Sequence, residues 1–232
     1  MYSNLFSPES IEELTVALQT QFLPAIWETF YVTLLSTAFA IVIGLPLGVL
    51  LVVTRKNGIR PLPTFNAALG AIINFLRSIP FLILLAMLFP VTRIVMGKAI
   101  GTRAIIFPLT VSAFPYVARM VEGSFNEVDG GIIEAAKAMG STTMQIVCKV
   151  LIPEAVPSLV NGFAICMTTI LAYTAMASAA GGGGLGAIAI TYGLNLRKYD
   201  VMYAASIILV VLVQIITVLG SFLTRRLDHR IR

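Results

Sequence analysis

Long runs without charge alternate with short polar segments along the chain. Residues 29–54 carry no charged side chain, and neither do residues 201–224, which lead into Arg225 and Arg226. Each run exceeds the about 20 apolar residues a helix needs to cross the hydrocarbon core. Residues 66–92 form a third run, interrupted by Arg77 and expected to kink near Pro80. A shorter one, 103–121, is uncharged between Arg103 and Arg119 and spans if both arginines snorkel outward. The stretch Ala155 to Leu196 is uncharged throughout. Its first part, 157–179, reads as one helix that the glycines from 181 onward should stop. The pattern predicts an all-α polytopic membrane protein of five transmembrane helices, as one domain over residues 1–232.

The polar segment between the runs 103–121 and 157–179 breaks this pattern. Residues 119–154 hold eight charged side chains. Asp129 is placed to cap a short helix whose apolar positions Ile132, Ala135, Ala136 and Met139 recur at spacings of three and four. Gly140 should end it in a left-handed turn. Thr142 or Thr143 can cap a second helix with Met144, Val147, Val150 and Leu151 on one face, and Pro153 is expected to stop that helix. Residues 122–155 thus read as a two-helix loop, too small to fold alone, that lies on the bundle and offers its other side to a partner.

Composition sharpens the class. Of 232 residues 58 % are apolar and 12 % charged, with a mean hydropathy of +0.92. Soluble domains are nearer half apolar and a quarter charged, so a soluble enzyme, a disordered chain, a collagen and a disulfide scaffold are all excluded. The net charge of +5 does not indicate nucleic acid, because the basic residues sit singly or in pairs at the ends of apolar runs. The bilayer is the partner they imply. Cys148 and Cys166 show no metal-ligand spacing, and His229 is the only histidine, so no metal site is expected. Free, buried thiols are the plain reading of both cysteines.

Charge also sets an orientation. The first 28 residues contain four glutamates and no lysine or arginine, so they lack the basic start of a signal peptide. With the N-terminus outside, ten basic residues fall on inner segments and five on outer ones. The positive-inside rule favours that arrangement and puts the C-terminus, Arg230 and Arg232 included, in the cytoplasm.

The polar loop also carries a resemblance. EAAKAMG at 134–140 followed by VLIP at 150–153 resembles the "EAA" loop of permease subunits in bacterial ATP-binding-cassette importers. Glu134, Ala135, Ala136, Gly140, Val150, Ile152 and Pro153 occupy the motif positions, with Val150 and Ile152 where Ile and Leu are commoner. RSIPFLILL at 77–85, PLTVSAFPYVARMVE at 108–122, AMGSTTMQIVCKVLIPEA at 138–155 and AYTAMASAAGGGGLG at 172–186 are similar to the methionine-importer permeases of that family. The resemblance implies a bacterial inner-membrane homodimer with two cytoplasmic ABC ATPase subunits and a separate extracytoplasmic substrate-binding protein. It implies no cofactor in this chain, ATP and Mg²⁺ belonging to the partners. It also implies ATPase coupling through Glu134, Ala135, Ala136, Gly140 and Pro153. The plain alternative for Glu134 is a solvated carboxylate pairing with Lys137.

Other positions leave readings open. Arg77 either lines a pathway or serves the end of a broken helix, because a cation in the bilayer must face protein or water. Tyr173, Thr174, Met176 and Ser178 suit a gate that seals and reopens, or ordinary helix packing. Gly181, Gly182, Gly183, Gly184 and Gly186 form no Walker A loop, lacking its Gly-Lys-Ser/Thr. They are either a flexible outer loop or a close approach of two protomers at an external gate. No catalytic constellation occurs in the spans. The functional reading is the permease of an ATP-driven importer for methionine or a related amino acid, with another small solute as the variant within the family. A stand-alone ion-coupled transporter is the alternative outside it, weakened by the absence of Asp, Glu and internal repeats in the spans.

Overall fold

The computed structural model describes residues 15–16 and 18–228, apart from the side chain of Leu194. The acidic start at Glu9, Glu12 and Glu13, His229, Arg230 and Arg232 lie outside the described residues. Every regular element among the described residues is helical. Helix α1, Leu18–Thr54, opens with a π turn at Leu18–Phe22. Helix α2 is Pro63–Ser78, α3 Phe81–Met96, α4 Ile106–Asn126 and α5 Gly130–Ala138. Helix α6 runs over Thr143–Ser178, α7 is Leu185–Ile188 continued as a π helix over Ala189–Asn195, and α8 is Tyr199–Leu227.

Among the described residues three helices, α1, α6 and α8, are long and apolar enough to cross a membrane, and the pair α2 and α3 makes a fourth if counted as one broken span. The chain is an all-α, multi-pass membrane protein. The expected kink near Pro80 is a full break: α2 and α3 are bent by 105°. Ile79 is extended (φ −81°, ψ 122°), because a residue before proline is disfavoured in the helical region. Pro63 starts α2 in its first turn, where a missing N–H is harmless.

Two sequence expectations are corrected here. Pro153 stops no helix: α6 runs continuously from Thr143 to Ser178. A π segment at Val147–Leu151 precedes the proline, and Ile152 N–H donates to the carbonyl of Val147. The widened turn takes in one extra residue, and Pro153 then sits in the first turn of the regular helix. Helix α1 also begins before residue 29, because Glu28 finds partners inside the fold.

Two compact units divide the chain. The first gathers residues to Ser36 with Pro80–Thr110 and Met167–Ile216. Its core joins Phe22 and Ala25 of α1, Leu185 and Ile188 of α7, and Val201 and Ala205 of α8. The second gathers Thr37–Ile79, Val111–Cys166 and the residues from Thr217. Leu51, Ile73 and Ala118 form a core there, with Leu47 and Leu69 against it. Gly44 and Gly48 of α1 lie one helical turn apart against α4. A Cβ on Gly48 would come 2.6 Å from the Ala118 carbonyl and 2.6 Å from Val121 Cβ, so the pair lets two backbones meet.

Candidate functional site

The polar loop is built by its caps. The Asp129 carboxylate accepts from Gly131 N–H at 2.7 Å and starts α5. At the far end Gly140 is left-handed, φ +78°. Gly140 N–H donates to the Lys137 carbonyl at 2.9 Å and Ser141 N–H to that of Ala136 at 3.1 Å. That pair of bonds is a Schellman termination, which satisfies the last carbonyls and turns the chain. Two residues on, Thr142 and Gln145 form a capping box. Gln145 N–H donates to Thr142 Oγ1 at 3.3 Å, and Thr142 N–H donates to Gln145 Oε1 at 2.8 Å. Of the two threonines open as caps, Thr142 takes the role.

Burial sorts the residues of this loop. Ala136, Ile146, Val147 and Leu151 are buried and anchor it. Glu134, Ala135 and Gly140 are exposed, beside Met139 at 79 % and Met144 at 71 % exposure. A carboxylate and two flexible apolar side chains thus face outward on the short helix α5, the turn after it and the capped start of α6. Among the described residues Glu134 joins no ion pair, and the Lys137 ammonium donates instead to the Gly58 carbonyl at 3.4 Å. The plain pairing of Glu134 with Lys137 is not realised. Pro153 lies in α6, in the chain's continuation from the loop. Cys148 is exposed and Cys166 buried, both unpaired, so only one of the two thiols matches the buried expectation.

The gate candidates fall in two places. Arg77 is exposed in the last turn of α2, where a cation meets the negative end of the helix dipole. Tyr173 is half-buried and stacks on Phe81, with ring centroids 4.6 Å apart and planes 2° from parallel. Phe81 carried no signal beyond its position after Pro80. Thr174 Oγ1 donates to the Leu171 carbonyl at 2.7 Å and Ser178 Oγ to that of Ala175 at 2.6 Å. Both hydroxyl protons are therefore used within α6, while Met176 is exposed.

The glycine segment is a packed turn, which corrects the flexible-loop reading. Gly184 N–H donates to Glu28 Oε2 at 2.9 Å, and the Thr102 hydroxyl donates to the same oxygen at 3.2 Å. Leu185 N–H donates to Thr29 Oγ1 at 2.9 Å. A Cβ on Gly183 would run into Thr102 and Glu28, and one on Gly186 would meet Ala175 Cα at 2.6 Å. Gly184 has φ 82° and ψ −165°, a region essentially reserved to glycine. Gly181 is left-handed against Ile100, and Gly182 N–H donates to the Ala177 carbonyl at 3.0 Å. The glycines thus let one chain fold back on itself. Sequence reading missed Glu28 because its partners lie far along the chain.

Arg119 was expected to snorkel and does not. Its Nε donates to Asn74 Oδ1 at 3.1 Å, Nη2 to the Gly70 carbonyl at 2.9 Å and Nη1 to Glu122 Oε2 at 2.7 Å. The guanidinium ties α4 to α2. Asn66 of α2 in turn donates to the Leu51 carbonyl at 2.7 Å and to Thr54 Oγ1 at 3.0 Å.

The comparisons with known proteins agree on one group. The family described as "Binding-protein-dependent transport system inner membrane component" matches residues 40–232. A probable D-methionine transport system permease protein of Vibrio cholerae is 46 % identical over 208 residues, covering 90 % of this chain and 92 % of that one. The D-methionine transport system permease protein of Escherichia coli K12 is 51 % identical over 151 residues, 65 % of this chain and 70 % of its own. A chain of the methionine ABC transporter MetNI, solved in inward-facing conformations, superposes with a TM-score of 0.90 at 45 % identity, covering 91 % of this chain and 98 % of that one.

Proposed function

The chain belongs to the family of binding-protein-dependent transport system inner membrane components, and from that premise we propose that it is the permease subunit of an ATP-driven methionine importer. It is a multi-pass inner-membrane protein and not itself the enzyme: ATP hydrolysis belongs to the ABC ATPase partners of such permeases. Methionine is the substrate that its relatives' names supply. Two copies of the chain build the pathway at a shared axis, since few spans enclose little and a two-fold interface is self-complementary. Two ATPase subunits dock on the loop of α5 and the start of α6. A separate extracytoplasmic protein delivers the substrate.

Five spans complete this reading: α1, the broken pair α2 and α3, α4, α6 and α8. Helix α4 has 21 residues, about 31 Å at the usual rise, enough for the hydrocarbon core. The N-terminus lies outside and the C-terminus inside, which puts α5 on the ATPase side. ATP binding closes the partners, the loop moves with them, and the pathway switches between inward- and outward-facing states. Each state is favoured only by differential binding. Tyr173 stacked on Phe81, with Met176 nearby in sequence, supports a gate at the break between α2 and α3. Arg77 ends the helix before that break.

One observation carries the coupling role: a Schellman turn and a capping box rigidify a loop whose exposed face is Glu134, Ala135 and Met139. Pro153 lies at the base of α6, to which the loop transmits its movement. The test is affinity purification of the permease from its native membrane with Glu134→Lys beside the wild type. The wild type should bring down an ABC ATPase at one copy per permease and support ATP-dependent methionine uptake. Glu134→Lys should keep the helical content and dimer but lose about tenfold or more in ATPase retention, a charge-assisted contact being worth roughly 1.4 kcal/mol or more. Unchanged retention and uptake would remove Glu134 from coupling. Uptake that survives ATP depletion would overturn the importer reading.

A further inference from the structure

A groove of about 950 Å³ lies in the first unit between the early part of α1 and the segment from the end of α3 to Ala104. That volume is at the upper end of ordinary small-molecule sites. Trp27, Tyr31 and Leu35 line it from α1 and Lys98 and Arg103 from the connecting segment, with Glu28 at the same wall. The first three recur every four residues and so form one stripe down the helix. The stripe grades from polar-edged aromatic rings to a plain alkyl group, as side chains do where water gives way to hydrocarbon.

The charges are arranged to match. Lys98 and Arg103 are exposed, and among the described residues neither joins an ion pair with a protein carboxylate. Arg103 lines the groove together with Tyr31, and a guanidinium offers a planar fork of donors to an oxyanion. Glu28 is held by Gly184 N–H and the Thr102 hydroxyl through one oxygen, so the carboxylate stays fixed at the wall. Trp27 is 64 % exposed beside it, and an indole face attracts an ammonium.

We propose that this groove is a phospholipid site selective for a phosphoethanolamine headgroup. The phosphodiester lies against Lys98 and Arg103, and the ammonium lies between Glu28 and Trp27. One acyl chain follows Leu35 along α1, whose Phe30 and Leu34 are also exposed. That apolar continuation favours a lipid over a free amino acid, which offers the same pair of charges without the tail. The site is independent of the transport reading, since any inner-membrane protein meets such lipids.

The test uses the full-length permease in nanodiscs of equal parts phosphatidylethanolamine and phosphatidylglycerol, followed by native mass spectrometry of the lipids it retains. Wild type should hold phosphatidylethanolamine in preference. A variant carrying both Lys98→Ala and Arg103→Ala should retain about tenfold less, the loss of a charge-assisted contact. The charge-preserving Lys98→Arg, which keeps the Arg103 fork, should hold the lipid as the wild type does, and an unchanged thermal unfolding midpoint of the double alanine variant separates headgroup binding from misfolding. Equal retention by wild type and the double alanine variant would overturn the site. So would equal retention of the two lipids, which would remove the ammonium from Glu28. Displacement of the bound lipid by saturating methionine would assign the groove to substrate and overturn the proposal.

Discussion

At the scale of single residues, the side chains that matter most are satisfied by groups far away in sequence. Arg119 has side-chain exposure of 24 % and Glu122 of 23 %, and the guanidinium also holds Asn74 and the Gly70 carbonyl. A Cβ on Gly70 would stand 3.2 Å from Arg119 Nη2, so the small residue makes room for the charge. Replacing Arg119 with Met keeps much of the alkyl stem but leaves Glu122 without its cation. Unpaired groups that are half withdrawn from water cost about 1–3 kcal/mol. Arg119→Met should therefore lower the thermal unfolding midpoint of the purified permease, and the double variant Arg119→Met with Glu122→Gln should recover part of it. No recovery in the double variant would mean that the pair is not coupled. Glu28 follows the same logic: a carboxylate near the start of a long apolar helix is tolerable once Gly184 and Thr102 donate to it.

At the scale of elements, small residues and helix irregularities decide the packing. Gly44 and Gly48 sit on the face of α1 that meets α4, where Val117, Ala118 and Val121 leave no room for a Cβ. Gly48→Leu should push the two helices apart and destabilise the permease by about 1–3 kcal/mol, the usual cost of overpacking. Thermal unfolding in detergent measures it. The same substitution at Gly123, where an added Cβ meets nothing within 4 Å, should be nearly silent, and equal effects at the two sites would sink the argument. The π turn at Val147–Leu151 matters in a different way. It carries α6 through Pro153, so the capped start of α6 and the apolar helix behind it are continuous in the chain.

At the scale of the whole molecule, each helix is as apolar as its surroundings require. From Ala104 to Glu122 no residue is exposed, so α4 is wrapped by protein and can carry Arg119, Glu122 and Pro115. Beyond Ala205, only Gly220 is buried in α8, and that helix is accordingly uncharged up to Arg225. Orientation is testable with the chain's own thiols. Cys148 is exposed on the loop side of α6 and Cys166 is 1 % exposed. With the permease expressed without its ATPase, a membrane-impermeant maleimide should label Cys148 in inverted vesicles and not in intact spheroplasts, with Cys166 silent in both. Labelling in spheroplasts would reverse the orientation.

The chain by itself determined the class, the run of apolar segments, the break near Pro80 and the end of α6 near Gly181. It also determined the two ends of α5, because Asp129 and Gly140 act on neighbours within a few residues. Caps, prolines and left-handed glycines are local physics, and local physics is legible in sequence. Tertiary structure decided the rest. It turned the glycine segment from a loose loop into a packed turn on Glu28 and Thr29, contacts that span 156 positions. It pulled Arg119 inward to α2, 49 positions away at Gly70, and brought Tyr173 to Phe81. It also sent α6 on through Pro153. Whether a charge faces lipid or a carbonyl depends on which helix lies beside it, and no periodicity within one helix carries that information.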